Sequence, residues 1–198
     1  MATAFSENEK EMIRKKLNEV GKDCLLTYGV KKTTVDQLVQ LAGISKGSFY
    51  NFYPSKEILF FTVLEEYQKE LMDEVICKLE QEKHIGIDVF TELIYELYQN
   101  VRYSFIMTIV RNKEFDYLLR KIPRELIKDH HSLDDIFTDK ILSYLRIKKG
   151  INNDLIAASL RAIFISMIHI VEIGESDFDQ VLRLLIKGLA QQIIEEDQ

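Results

Sequence analysis

The chain has 198 residues, of which 46% are hydrophobic and 29% charged, an ordinary globular composition. Two prolines and eight glycines exclude collagen-like and low-complexity architectures. A net charge of −6 argues against a protein that binds polyanions over its whole surface.

That charge is unevenly spread. Residues 1–60 hold nine Lys/Arg and seven Asp/Glu, whereas the remainder holds 17 and 25. A small N-terminal piece suited to a polyanion, attached to an acidic body, fits this distribution. The longest nearly uncharged apolar stretch, Ala162 to Val171, is shorter than the roughly 20 residues of a membrane span. The start, MATAFSENEKEM, has no apolar core after a basic segment, so no signal peptide is expected. Cys24 and Cys77 lack metal-ligand spacing and are too few for a disulfide framework. These features predict a cytoplasmic chain without membrane, metal or cofactor.

In chain order, a first helix is predicted from Glu7 to Thr27, with Leu17, Val20, Cys24 and Leu25 on one face. Tyr28-Gly29 ends it, because glycine readily takes the left-handed conformation beyond a helix. Thr33 or Thr34 caps a second helix, Val35 to Leu41. Ala42-Gly43-Ile44 is a tight turn, and Ser45 caps a third helix to about Phe52. Pro54 stops that helix, and Ser55 opens a fourth that continues to about Lys83. Further helices are predicted at about 87–103, 105–120, 123–148, 153–173 and 177–195, with Pro123 in a first turn. Asn153-Asp154 and Ser176-Asp177 supply caps for the last two. No alternating strand pattern occurs, so the fold class is all-α.

Two short helices joined by a Gly-containing turn form a helix-turn-helix. Val35, Leu38, Ile44 and Phe49 would bury inward, leaving Ser45, Lys46, Gly47, Ser48, Tyr50 and Asn51 on the exposed side of the second member. Small and polar residues at a helix start allow close approach to base edges and phosphates.

The run TTVDQLVQLAGISKGSFYNFYPSKEILF, Thr33 to Phe60, resembles the DNA-binding signature of TetR-family transcriptional regulators. Leu17, Gly21, Leu25 and Gly29 stand where that family has apolar, small and closing residues of its first helix. The resemblance implies a DNA-binding head over 1–54 and a helical ligand-binding and dimerisation domain over 55–198. It assigns Thr33 and Thr34 to cap and phosphate contacts, Ser45 to a cap, and Lys46, Gly47 and Ser48 to base edges. Tyr50 and Lys56 resemble phosphate-binding residues, and Asn51 sits where a base or a phosphate is in reach. Val39, Leu25 and Tyr53 depart from the family pattern as packing changes.

A homodimer through the two C-terminal helices is implied, and with it a palindromic operator in double-stranded DNA. The aromatic-rich middle helices suggest a pocket for a small-molecule effector. Its candidate lining is Tyr95, Tyr98, Met107, Arg111, Phe115, Phe164 and Ile168, with His169 a further polar candidate. The expected function is a ligand-released repressor. The alternative is a DNA-bound module of the same fold that recruits a protein and has no inducer. An enzyme is not expected: no P-loop, dinucleotide or nucleophile-elbow motif occurs, and the adjacent His130-His131 suit a metal poorly.

Overall fold

Capping residues decide where the N-terminal helices begin. The structure, a computed structural model, describes residues 5–196, the side chains of 128–136 excepted. Helix α1 (Glu7–Thr27) starts at Ser6, whose hydroxyl accepts from the Glu9 amide while the Glu9 carboxylate accepts from the Ser6 amide. This reciprocal box satisfies two amides that the first turn leaves without partners. A single turn, α2 (Gly29–Lys32), follows at once, with Gly29 at φ 77°.

Helix α3 (Val35–Ala42) opens with a second box between Thr34 and Gln37, and α4 (Lys46–Phe52) opens on Ser45. Between them Gly43 takes φ 71°, and the Ile44 amide donates back to the Val39 carbonyl at 3.1 Å. A methyl on Gly43 would meet nothing, so glycine is needed there for its φ and not for space. At Gly21 space is the issue: a methyl would lie 3.0 Å from the Val63 side chain of α5 (Lys56–Gln81).

The stretch predicted as one helix over 105–120 is two. Helix α7 (Phe105–Arg111) and α8 (Phe115–Leu119) are separated by Asn112, Lys113 and Glu114, with Lys113 at φ 54°. The Lys113 amide reaches the Val110 carbonyl and the Glu114 amide the Ile109 carbonyl, each at 2.9 Å. This is the bonding pattern seen at Gly43, with lysine in the left-handed position.

The chain divides into two compact units, Met1–Gln68 with Ser104–Ile127 and Lys69–Tyr103 with Lys128–Gln198. In the first, α1 packs on α3 and α7, α2 on α7, and α3 on α4. Their shared core buries Leu17, Cys24, Leu25, Leu38, Phe49, Leu59, Phe60 and Ile109. The departures at Val39 and Tyr53 are buried within it, in keeping with packing roles.

In the second unit α6 (Ile87–Arg102) packs on α12 (Phe178–Ile193), and α10 (Asn153–Ser166) on α12. Every fourth residue faces inward: Phe90, Ile94 and Tyr98 on α6, and Phe178, Leu182, Ile186 and Ala190 on α12. Along the same seam Asp88 pairs with Lys187, Glu92 with Arg183, and Arg102 with Asp179. The reversed order of these pairs makes the two helices antiparallel. Helix α9 (Arg124–Leu142) ends short of the predicted 148, and Ile147 forms an isolated bridge with Ile194.

The predicted helix 153–173 is interrupted by a 3₁₀ turn, Met167–His169, before α11 (Ile170–Ile173). Within Asn153–Ile173 the most apolar 18-residue stretch has a mean hydropathy of 1.8, enough to cross a membrane by length and composition alone, while Arg161 and Glu172 bound the nearly uncharged Ala162–Val171. Only 17% of the 18-residue stretch is buried, because Leu155, Ile165, Ile168, Val171 and Ile173 face outward. Leu184 and Leu185 of α12 are exposed as well.

Candidate nucleic-acid interface

The exposed side of the helix-turn-helix begins at the α4 cap. The Ser45 hydroxyl accepts from the Ser48 amide at 3.0 Å and lies 2.8 Å from the Ser48 hydroxyl. Lys46, Gly47, Tyr50 and Asn51 are exposed, Ser48 is half-buried, and Phe49 is fully buried beneath them. Tyr50 stands edge-on to Phe49 with ring centroids 5.4 Å apart, so the core aromatic props the exposed one. The arrangement brings together the α4 residues that sequence reading assigned to base edges and phosphate.

The flanking residues differ in orientation. Thr34 is exposed, but Thr33 is fully buried, and its hydroxyl donates to the Gly29 carbonyl at 2.7 Å. Lys56 turns its ammonium onto three carbonyls: Thr33 at 2.5 Å, Val30 at 2.8 Å and Lys31 at 3.4 Å. Burial lowers its pKa from the ordinary lysine value, opposed by the nearby charges of Glu57 and Glu114. Lys46 is bonded to Asp36 of α3, and that carboxylate holds the ammonium above the usual lysine range.

Sequence reading missed Asp36 and Glu114. Glu114 is buried, and its carboxylate accepts from the Val30 amide at 2.6 Å and the Lys31 amide at 3.0 Å. A methyl on Gly29 would overlap this carboxylate, which gives that glycine a second reason beside its φ. No local pattern marks Glu114, since its partners lie 84 and 83 residues away.

The candidate effector residues fall in different units. Met107 is buried in the first, while Arg111 and Phe115 there are exposed. In the second, the buried Tyr98 donates its hydroxyl to the Leu160 carbonyl at 2.8 Å and meets Phe164 edge-on at 5.5 Å. Burial pushes the Tyr98 phenol well above the ordinary tyrosine value. Tyr95 lies under the Arg183 guanidinium, 3.5 Å from its ring centre, and Ile168 faces outward. His169 is exposed, 3.8 Å from Glu172. Among the described residues, no group of three or more His, Cys, Asp or Glu is arranged to hold a metal ion. The side chains of His130 and His131 lie outside the described residues.

A glycine-turned helix pair, with its second member presenting a polar outer face at its N-terminal end, defines a helix-turn-helix DNA-binding protein. Residues 19–63 match the family model described as bacterial regulatory proteins, tetR family. Those 45 residues of the 198 carry the DNA-binding segment of that family. It is 26% identical over 130 residues to the HTH-type transcriptional regulator QacR of Staphylococcus aureus, spanning 60% of this chain and 67% of that protein. It is 39% identical over 67 residues to the HTH-type regulator YhgD of Bacillus subtilis, spanning 32% and 35%.

Solved structures share the fold at low identity. A protein described as a TetR-family regulator from Mesorhizobium loti superposes with TM-score 0.73 at 14% identity, covering 96% of this chain and 100% of that one. FadR from Bacillus subtilis, in complex with stearoyl-CoA, gives 0.66 at 13% identity over 90% and 98%. The TetR-family repressor FadR from Thermus thermophilus, in complex with lauroyl-CoA, gives 0.60 at 17% identity over 93% and 97%.

Proposed function

We propose that this chain is a cytoplasmic homodimeric repressor that binds a palindromic operator through α4 and is released by a small-molecule effector. The observation that carries the DNA-binding part is the outer face of α4, where Lys46, Gly47, Tyr50 and Asn51 stand exposed over the buried Phe49. In this reading Ser45, Lys46, Gly47, Ser48 and Asn51 meet bases and nearby backbone, while Thr34 and Tyr50 meet phosphates. Phosphate contacts supply affinity and register, and base contacts supply specificity. Thr33 and Lys56 act through the backbone that they hold.

The exposed apolar side chains on α10, α11 and α12 support a dimer across those helices. Exposed apolar side chains gathered on neighbouring helices are a feature of protein–protein surfaces. Two α4 helices related by a two-fold axis would then read half-sites about 34–36 Å apart. The acyl-CoA complexes of the two FadR structures support a ligand-responsive body. Here Tyr95, Tyr98, Phe164 and Ile168 in the second unit, and Met107, Arg111 and Phe115 in the first, are the residues we assign to effector binding. The effector weakens DNA binding only by preferring the state in which the two α4 helices no longer match successive grooves.

The test is selection of bound fragments from random duplex DNA by the purified protein near 0.1 M salt. Enrichment of a palindrome supports the dimeric reading. Enrichment of nothing by a folded dimer would move the protein-recruiting alternative ahead. An effector that binds the free and DNA-bound protein equally well would refute release by population shift.

A further inference from the structure

Helix α2 is one turn long, so its end groups cannot be satisfied within it. Its first amides, on Val30 and Lys31, donate to the two carboxylate oxygens of Glu114. The carbonyls of Val30, Lys31 and Thr33 accept from the Lys56 ammonium. The turn therefore has a negative charge at its N-terminal end and a positive charge at its C-terminal end, the arrangement its peptide dipoles favour. Val30 and Thr33 are fully buried, so their backbone groups in these two sets have no water as a ready substitute, whereas Lys31 is exposed.

Lysine carries three N–H donors, and here three carbonyl oxygens surround the ammonium. The next residue after Thr33 is Thr34, which caps α3. Whatever fixes the Thr33 carbonyl also fixes where the helix-turn-helix begins. We propose that Lys56 serves DNA binding as a positioning residue and not as a phosphate contact: together with Glu114 it clamps α2 by opposite charges and so sets the start of α3. This rests on the operator-binding reading above, and it assigns to Glu114 a part in that binding although a carboxylate repels DNA.

The two roles for Lys56 separate in salt dependence. A lost phosphate contact lowers the slope of log K against log salt by about 0.9 per protomer. A loosened clamp reduces the population ready to bind, and the complex once formed makes its usual phosphate contacts. The experiment titrates the selected duplex with the full-length protein and with Lys56→Met, Lys56→Arg and Glu114→Gln across salt. Hydrogen exchange of the free proteins is followed at residues 30–38, with α12 amides as the reference.

The clamp predicts an affinity loss of about tenfold for both Lys56→Met and Glu114→Gln, with the wild-type slope retained. Lys56→Arg weakens binding too, because a planar guanidinium cannot direct its protons as an ammonium does. Exchange at 30–38 quickens by about tenfold in each variant while α12 is unchanged. A Lys56→Met slope lower by about 0.9 per protomer, tighter DNA binding by Glu114→Gln, or unchanged exchange at 30–38 each overturns the proposal. If the wild-type protein selects no duplex, the operator reading fails, and exchange alone decides the clamp. Should Lys56→Met not fold, Lys56→Arg and Glu114→Gln carry the same decision.

Discussion

The Lys46 ammonium lies 2.9 Å from the Asp36 carboxylate, tying the first turn of α4 to the first turn of α3. Both side chains are at least half exposed, so the pair contributes little to folding. Its weight is electrostatic, since a carboxylate sits beside the lysine of the face assigned to DNA. Asp36→Asn is expected to tighten binding to duplex of any sequence by about threefold to tenfold at low salt. The gap between selected and scrambled duplexes should narrow. Anisotropy titrations with both duplexes check this, and unchanged affinity for the scrambled one counts against it.

Two left-handed positions respond oppositely to exchange of residue type. Gly29→Ala meets both an unfavourable φ and the Glu114 carboxylate, and should destabilise the protein by about 2 kcal/mol or more. Lys113→Gly relieves the strained φ of 54° and should stabilise by about 0.5–1 kcal/mol. For a chain of this size that is a rise of about 1–4 °C in Tm, measurable by calorimetry. A lower Tm for Lys113→Gly would mean that the lysine side chain contributes more than its backbone loses.

The pairs along the α6–α12 seam should be unequal. The Arg102 side chain is only 10% exposed and lies over the rings of Tyr103 and Phe178. Its carboxylate partner Asp179 also accepts from Gln99. Asp179→Ala leaves a nearly buried guanidinium without that partner and should destabilise by about 1–3 kcal/mol. Asp88→Ala removes an exposed pair with Lys187 and should change stability by less than about 0.5 kcal/mol. Urea titrations of the two variants give the comparison directly.

The assignment of a dimer to the C-terminal helices predicts what a charge there does. Val171 is 75% exposed and Leu184 72%, so Val171→Glu or Leu184→Lys removes little intrachain packing. Sedimentation should show a folded monomer in place of a dimer. Binding to a palindromic duplex should fall by about a hundredfold or more once the two half-sites are read independently. A dimer that survives both substitutions would move the interface elsewhere.

Local chemistry explains which parts of this fold were legible in sequence. The starts of α3 and α4 are written in Thr34 and Ser45, and their separation in Gly43, because caps and left-handed turns are properties of a few adjacent residues. The outer face of α4 follows from the same spacing. The break between α7 and α8 has no such mark: Asn112, Lys113 and Glu114 include neither glycine nor proline. The buried partners of Glu114 lie in α2, and that turn is too short to show a period. The same remoteness hid the orientation of Lys56, whose carbonyl partners precede it by more than 20 residues. At Asn153–Ile173 the composition was readable, but the outward direction of its apolar side chains depended on which face α12 covers.

Gly47 offers a gauge of distance that the protein itself does not disturb. A methyl built there meets only the Ser45 hydroxyl oxygen, at 3.8 Å, an ordinary contact. Within the free protein Gly47→Ala should raise stability by about 0.5–1 kcal/mol through helix propensity. Any opposing loss of DNA affinity would then come from the partner alone, and its size would report how close the duplex lies to the α4 backbone. A methyl tolerated in both states would place the duplex at least a carbon's width farther out.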